Sequence, residues 1–248
     1  MNPEFSPDGS RVVFVSNREG AEALFVATGD GAPVRLKLPE RYRYVNAHWS
    51  HDGRALYSMR LDADPPHAQS VVRIDATTGA TEILGALGAD VDEIFADRTG
   101  RYLYYAVGTG QTMRLMRAPL ADLDAQERLP FPPVSNFMVD GTRIAFAQPQ
   151  IRGLTSCNLA DLACEALPLP ISESTMGAWT LGAGSVWFLD TSAMPATLAR
   201  YDLAAGRVTL RSASSPMAYG RTIAVSPDGG KVLLARQAPT LIDLMIAR

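Results

Sequence analysis

Phe5-Ser6-Pro7-Asp8-Gly9-Ser10-Arg11-Val12-Val13-Phe14-Val15-Ser16 is a turn followed by an apolar run, and its reading decides the fold. In Ser6-Pro7-Asp8-Gly9 the proline presets φ near about −65° at the second turn position, the aspartate tolerates the third, and the glycine takes the positive φ from which a second strand starts back. Val12, Val13, Phe14 and Val15 are apolar at consecutive positions, so both faces of that strand must be covered. One hairpin cannot do this alone.

The pattern returns five times. Trp49-Ser50-His51-Asp52-Gly53-Arg54 precedes Ala55-Leu56-Tyr57, and Phe95-Ala96-Asp97-Arg98-Thr99-Gly100-Arg101 precedes Tyr102-Leu103-Tyr104-Tyr105. Phe137-Met138-Val139-Asp140-Gly141-Thr142-Arg143 leads to Ile144-Ala145-Phe146, and Trp179-Thr180-Leu181-Gly182-Ala183-Gly184 leads to Val186-Trp187-Phe188-Leu189. The last copy is Val225-Ser226-Pro227-Asp228-Gly229-Gly230-Lys231 before Val232-Leu233-Leu234. Between Gly9, Gly53, Gly100, Gly141, Gly184 and Gly229 the spacings are 44, 47, 41, 43 and 45 residues. A period in the low forties built from short strands is the signature of a propeller blade, whereas a sandwich of unrelated hairpins needs no fixed period. The expected fold is all-β, a six-bladed propeller forming a single domain over 1–248, with blades at about 1–39, 40–85, 86–130, 131–170, 171–212 and 213–248. Four strands are expected per unit, with outer strands that alternate more than inner ones because the outer edge meets water.

The ends of the chain break the pattern. The sixth unit supplies strands at 222–225, 232–235 and 241–246 and then stops, so its fourth strand is missing, while residues 1–5 begin directly on the first strand of the first unit. The expectation is a piece of a longer protein, with the closing strand before Met1, or a last blade of three strands. A strand as apolar as 241–246 at an open edge invites pairing with a second copy. Composition sets further bounds. With 47% apolar and 20% charged residues the chain builds a globular core. No run of eighteen apolar residues and no charged-then-apolar leader occurs, so this stretch is expected neither to span a membrane nor to carry its own export signal. A net charge of −3 argues against a nucleic-acid surface.

Units of the form aromatic-Ser-Pro-Asp-Gly-x-Arg/Lys-apolar run, followed in the first by Ser16-Asn17-Arg18-Glu19-Gly20, resemble the TolB-type propeller repeat across essentially the whole chain. Units one, two and six match closely, with His51 in place of the proline in unit two; three, four and five have lost the proline. The ending Leu241-Ile242-Asp243-Leu244-Met245-Ile246-Ala247 and the missing closure resemble the carboxy-terminal region of CadC-like membrane-spanning transcriptional regulators. That resemblance implies a periplasmic propeller in an inner-membrane protein of bacteria, joined through an upstream membrane helix to a winged-helix DNA-binding domain. Membrane contact would then be through that helix alone, and nucleic acid would not touch this domain.

Cys157 and Cys164 lie in Ser156-Cys157-Asn158-Leu159-Ala160-Asp161-Leu162-Ala163-Cys164-Glu165, read as two strands of unit four joined by a two-residue turn at Ala160 and Asp161. Leu159 then pairs with Leu162, Asn158 with Ala163, and Cys157 with Cys164. Two readings stand, a disulfide of an oxidising compartment and a pair of reduced outer-strand thiols, and the resemblance to periplasmic domains favours the first.

Catalytic patterns are missing from the sequence. It has no Gly-x-Ser-x-Gly elbow, no His-Glu-x-x-His, no Gly-x-x-x-x-Gly-Lys and no complete Gly-x-Gly-x-x-Gly, so no catalytic residue, metal or cofactor is assigned. Of the three histidines, His48 and His51 flank or occupy the second turn and read as structural. His67 follows Asp62-Ala63-Asp64-Pro65-Pro66 in a proline-stiffened loop. A binding face is expected where the loops between second and third strands and those joining blades emerge together. It carries Arg18, Arg41, Tyr42, Arg43, Tyr44, His67, Arg152 and Arg236, with residues 41–44 the most interface-like because Arg and Tyr combine area with directional donors. The function that follows is a non-catalytic recognition or sensor propeller that binds a protein or small signal at that face. An envelope scaffold like TolB and the gating propeller of a prolyl-oligopeptidase-type serine peptidase are the alternatives.

Overall fold

The computed structural model describes residues 1–62, 68–88, 90–97, 99–110, 112–171, 178–192, 196–212, 222–237 and 242–247, with the backbone alone at 92, 236–237 and 242–247. Two compact units result, Glu4–Pro133 and Met1–Pro3 with Val134–Arg248. The unit at Glu4–Pro133 holds three antiparallel sheets of four strands. They are β1 (Glu4–Phe5), β2 (Arg11–Ser16), β3 (Ala23–Thr28) and β4 (Val34–Arg35); β5 (Tyr42–Trp49), β6 (Ala55–Asp62), β7 (Gln69–Asp75) and β8 (Thr81–Gly85); and β9 (Val91–Ala96), β10 (Tyr102–Val107), β11 (Arg114–Pro119) and β12 (Glu127–Arg128). The other unit holds β13 (Asn136–Asp140), β14 (Arg143–Ala147), β15 (Leu154–Asn158) and β16 (Cys164–Leu167); β17 (Trp179–Gly182), β18 (Ser185–Asp190), β19 (Thr197–Asp202) and β20 (Arg207–Arg211); and β21 (Ile223–Val225), β22 (Val232–Gln237) and β23 (Ile242–Ala247). In each sheet the strands lie in chain order. Among the described residues five blades are therefore complete, where the repeat predicts six units, and the sixth unit contributes a sheet of three strands.

Local hydrogen bonding explains why the repeat folds this way. In the first turn Ser6 Oγ donates to Asp8 Oδ1 at 2.6 Å and accepts from the Arg11 N–H at 2.9 Å, while Asp8 Oδ1 accepts from the Ser10 N–H at 3.0 Å. Ser50 with Asp52 and Ser226 with Asp228 repeat this clasp. In the third sheet the roles change hands. Asp97 stands where the serine stands elsewhere, and its Oδ1 accepts from the Arg101 and Tyr102 N–H groups at 2.9 and 3.2 Å. The fourth and fifth sheets use another turn. There Asp140 pairs with Arg143 and Gly182 with Ser185, leaving two-residue loops with no room for a clasp. Ala183 and Gly184 both have left-handed φ, 51° and 67°, the form that matches strand twist in a tight hairpin.

The turns also interlock between sheets. A Cβ placed on Gly53 would meet Pro7 Cδ at 3.5 Å, one on Gly100 would meet His51 Nδ1 at 2.5 Å, and one on Gly229 would meet the Ala183 Cβ at 3.3 Å. In these three places a turn packs on the glycine of the next; all three glycines take a positive φ, and at Gly100 the space is needed as well. Arg11 reinforces the first such contact, donating from Nη2 to the Gly53 carbonyl at 2.5 Å and lying over the Trp49 ring at 4.6 Å.

Within each unit, hydrophobic cores lie between consecutive sheets. Val13, Leu24 and Val26 of the first sheet pack with Leu56, Val72 and Ile74 of the second. Met59 and Val71 pack with Ile94, Leu103 and Tyr105 of the third, and Trp187, Leu189 and Leu198 of the fifth with Ile223, Val232 and Leu234 of the sixth. The second strands are covered on both faces, most completely β18, whereas the fourth strands β8, β16 and β20 are largely exposed. This is the stacking that the consecutive apolar residues of the repeat require.

The clasps make acid stability predictable. Hydrogen bonds from Ser6, Ser50 and Ser226 are the largest cause of the lowered carboxyl pKa values of Asp8, Asp52 and Asp228, and Asp8 is held down to about 2 from the usual 3.8. A carboxyl depressed in the folded state contributes stability that is present above its unfolded value and lost as the pH falls through its folded value. The urea midpoint should therefore hold steady above about pH 4 and fall between about pH 4 and 2. In the triple variant Asp8→Asn, Asp52→Asn, Asp228→Asn that acid-side slope should be shallower; an unchanged slope would remove the clasps as its source.

Candidate functional site

Blade 2 is built longer than its neighbours. Its first three strands run eight, eight and seven residues, and the extra length lies at one end, where β5 begins, β6 ends and β7 begins. Tyr42, Arg43 and Tyr44, expected in a connection, are the first residues of β5. The expectation of a loop fails because Tyr-Arg-Tyr-Val already alternates as a strand, while a bulge between Val45 and His48, with Asn46 at φ 54°, interrupts the pattern that follows. Register then sorts the side chains. Tyr42 lies opposite Asp62 and Tyr44 opposite Arg60, so these four share one face of the sheet.

On that face Tyr42 is the centre of a cluster. The Arg60 guanidinium lies 4.2 Å from its ring centroid and the Arg41 guanidinium 4.6 Å, within cation–π range, and the Tyr44 ring stands edge-on at 6.4 Å. Burial raises the Tyr44 hydroxyl above the ordinary phenol pKa, so at neutral pH it is protonated and able to donate. The neighbouring charges are paired. Arg43 meets Glu22 at 3.4 Å, and Arg35 meets Glu40 at 3.2 Å and Glu19 at 3.7 Å. These contacts tie the turn after β2 and the connection from β4 to β5 into one end of the unit.

The remaining expected residues divide. Arg18 lies over the Phe14 and Phe25 rings at 5.2 and 5.4 Å and donates from Nε to Ser16 Oγ at 3.1 Å, capping the stacked aromatic pair of the first sheet. Arg152 is exposed in the turn between β14 and β15, in the other unit. His67 is outside the described residues, and Arg236 is described only as a backbone position of β22 paired with Asp243. Arg60, by contrast, went unremarked in the sequence because it continues the apolar strand Ala55-Leu56-Tyr57-Ser58-Met59. Only its register opposite Tyr44 brings it to the cluster.

His48 and His51 hold strands and turns together. The His48 Nδ1 lies 2.5 Å from Glu4 Oε2 and its ring 4.3 Å from that of Phe95, linking β1, β5 and β9, while His51 rests on Gly100. Among the described residues the buried Tyr105 hydroxyl, pushed up to about 12 by desolvation, and the Trp187 indole N–H each lack a hydrogen-bond partner, but they sit in separate cores between sheets.

In the other unit Cys157 and Cys164 occupy directly opposed positions of β15 and β16 and are joined as a disulfide, with Cα atoms 4.1 Å apart. The connecting turn differs from the two-residue form expected. Leu162 adopts a left-handed φ of 59° and donates its N–H to Asn158, while the Leu159 N–H goes to Thr142, so Leu159 and Leu162 do not pair. The loop therefore runs over the four residues 159–162, with Asn158 still donating to Ala163, and the left-handed step at Leu162 closes it.

The arrangement of the sheets finds its counterpart among solved structures. TolB from Acinetobacter baumannii superimposes with a TM-score of 0.74 at 14% identity, covering 97% of this chain and 62% of that one. The fold is a TolB-like β-propeller. An acylaminoacyl peptidase of Pyrococcus horikoshii matches with a TM-score of 0.66 at 11% identity, over 100% of this chain and 50% of its own. A structure from a study of two prolyl endopeptidases matches with a TM-score of 0.63 at 15% identity, over 99% of this chain and 42% of its own. The chain thus spans about three fifths of TolB and half or less of the two peptidase structures. At these identities the likeness is one of fold alone. No protein-family model matches the chain, and no curated protein is significantly similar to it.

Thiol chemistry gives a direct check on the second unit. The unreduced, denatured protein should show no reactive thiol, and reduction should lower stability by about 2–3 kcal/mol, the loop-entropy value for so short a loop. Two reactive thiols before reduction would contradict the bond.

Proposed function

We propose that the chain is a non-catalytic recognition propeller, the periplasmic sensor domain of a membrane-bound transcriptional regulator, which binds a protein or small signal at the loop end of its blades. In this reading the six repeats work as one six-bladed propeller. One observation carries the proposal: the elongated strands of blade 2 hold Tyr42, Tyr44 and Arg60 on regular secondary structure, and Arg41, just before β5, joins them in a single aromatic and guanidinium cluster. Such residues are enriched where proteins meet partners, and placement on strands fixes their geometry better than a loop would. The disulfide between β15 and β16 suits an oxidising compartment. The likeness to TolB is compatible with an envelope scaffold, and the likeness to peptidase structures over nearly the whole of this chain favours, as a second reading, a gating propeller beside a hydrolase domain.

The full-length gene product in its native membrane separates these readings. Deleting 1–248 should abolish the signal-dependent change of a transcriptional reporter while leaving the product in the membrane. Unchanged reporter output would overturn the sensor assignment, as would hydrolysis of chromogenic peptide substrates by the intact product.

A further inference from the structure

Five arginines, at positions 18, 35, 41, 43 and 60, gather near the loop end of the first two blades, and they are not equivalent. Arg35 and Arg43 are committed to Glu19, Glu40 and Glu22, and Arg18 caps Phe14 and Phe25 while bonding Ser16. Arg41 and Arg60 form no ion pair among the described residues. Both guanidinium groups instead lie against the one Tyr42 ring, at 4.6 and 4.2 Å. Two cations on one ring repel each other, and an anion bridging them would remove that repulsion. A guanidinium stacked by its face keeps its N–H edge for in-plane acceptors, the geometry that suits a carboxylate. The Arg60 Nε is buried and has no hydrogen-bond partner among the described residues, a donor withdrawn from solvent with its bond still to make. Beside it stands Tyr44, directly across the strand pair, with its protonated hydroxyl.

We infer that the Arg41, Tyr42 and Arg60 cluster is an anion-binding site and that it takes the carboxylates of an acidic peptide segment. One feature favours a peptide over a small inorganic anion: β5 is the terminal strand of its sheet, with β6 on one edge and no strand among the described residues on the other, so that edge offers main-chain groups to an extended chain. This inference rests on the recognition reading and supplies the chemistry of its ligand.

Titration of the 248-residue chain with acetylated tetraglutamate amide, followed by calorimetry and by the NMR signals of the arginine Nε–H groups, tests it. Tetraglutamate should bind and shift the Arg41 and Arg60 signals. Arg41→Gln and Arg60→Gln should each weaken binding by about tenfold, the loss expected for a charge-assisted bond, and Arg43→Gln by less than about twofold. Thermal midpoints should be unchanged. Arg41 is exposed, so Arg41→Gln remains informative if Arg60→Gln fails to fold. Equal losses for Arg43→Gln and Arg60→Gln would overturn the site, since they would signify diffuse charge attraction. Binding of inorganic phosphate with none of tetraglutamate would overturn the peptide assignment. Tetraglutamate binding at Arg41 and Arg60 without any reporter response to propeller deletion would leave the anion site standing and remove the sensor role; a responding reporter with no tetraglutamate binding would do the reverse.

Discussion

Within each unit of this fold, turns pack on the glycine of the turn that follows. Pro7 rests on Gly53, His51 on Gly100 and Ala183 on Gly229. The contacts set how closely consecutive sheets approach at that end. Glycine recurs at 9, 53, 100, 184 and 229 even where the serine, proline and aspartate of the motif are gone because each takes a positive φ that strains a side chain, and at Gly100 a side chain would also strike His51 of the preceding turn. Apolar burial supplies the driving force between the sheets, and the interlocked turns give it a single spacing.

A scaffold fixed at its turn end leaves the opposite end free to vary in length. Blade 2 uses that freedom by extending its strands beyond their neighbours, so that Tyr42, Tyr44 and Arg60 stand on paired backbone. Guanidinium groups near the cluster fall into two sets through simple competition. Those with a glutamate in reach form ion pairs of the modest kind usual at surfaces, and those without one stack on Tyr42 with their donors unspent.

The repeat was legible in the sequence because its chemistry is local: Ser6, Asp8 and Gly9 close their turn with partners no more than five residues away. The opposition of Cys157 and Cys164 was legible for the same reason, as a consequence of hairpin counting. Its turn was not, since nothing in the pattern announces that Leu162 takes a left-handed φ. Residues 41–44 could be recognised as surface chemistry but were placed in a connection, and Arg60 passed for a strand end. Both depend on cross-strand register around a bulge, which alternation of residue types does not report. His51, read as a substitute for proline, owes its role to a glycine in the following repeat, a partner no local pattern can supply.

A thermodynamic cycle on His51 and Gly100 measures the interlock itself. Gly100→Ala should be costly in the native background through both backbone strain and collision with the imidazole, and less costly in the His51→Ala background, where strain alone remains. The expected result is a coupling of about 1 kcal/mol or more between the two changes, and additivity within about 0.5 kcal/mol would contradict the turn-to-turn contact on which the stacking depends.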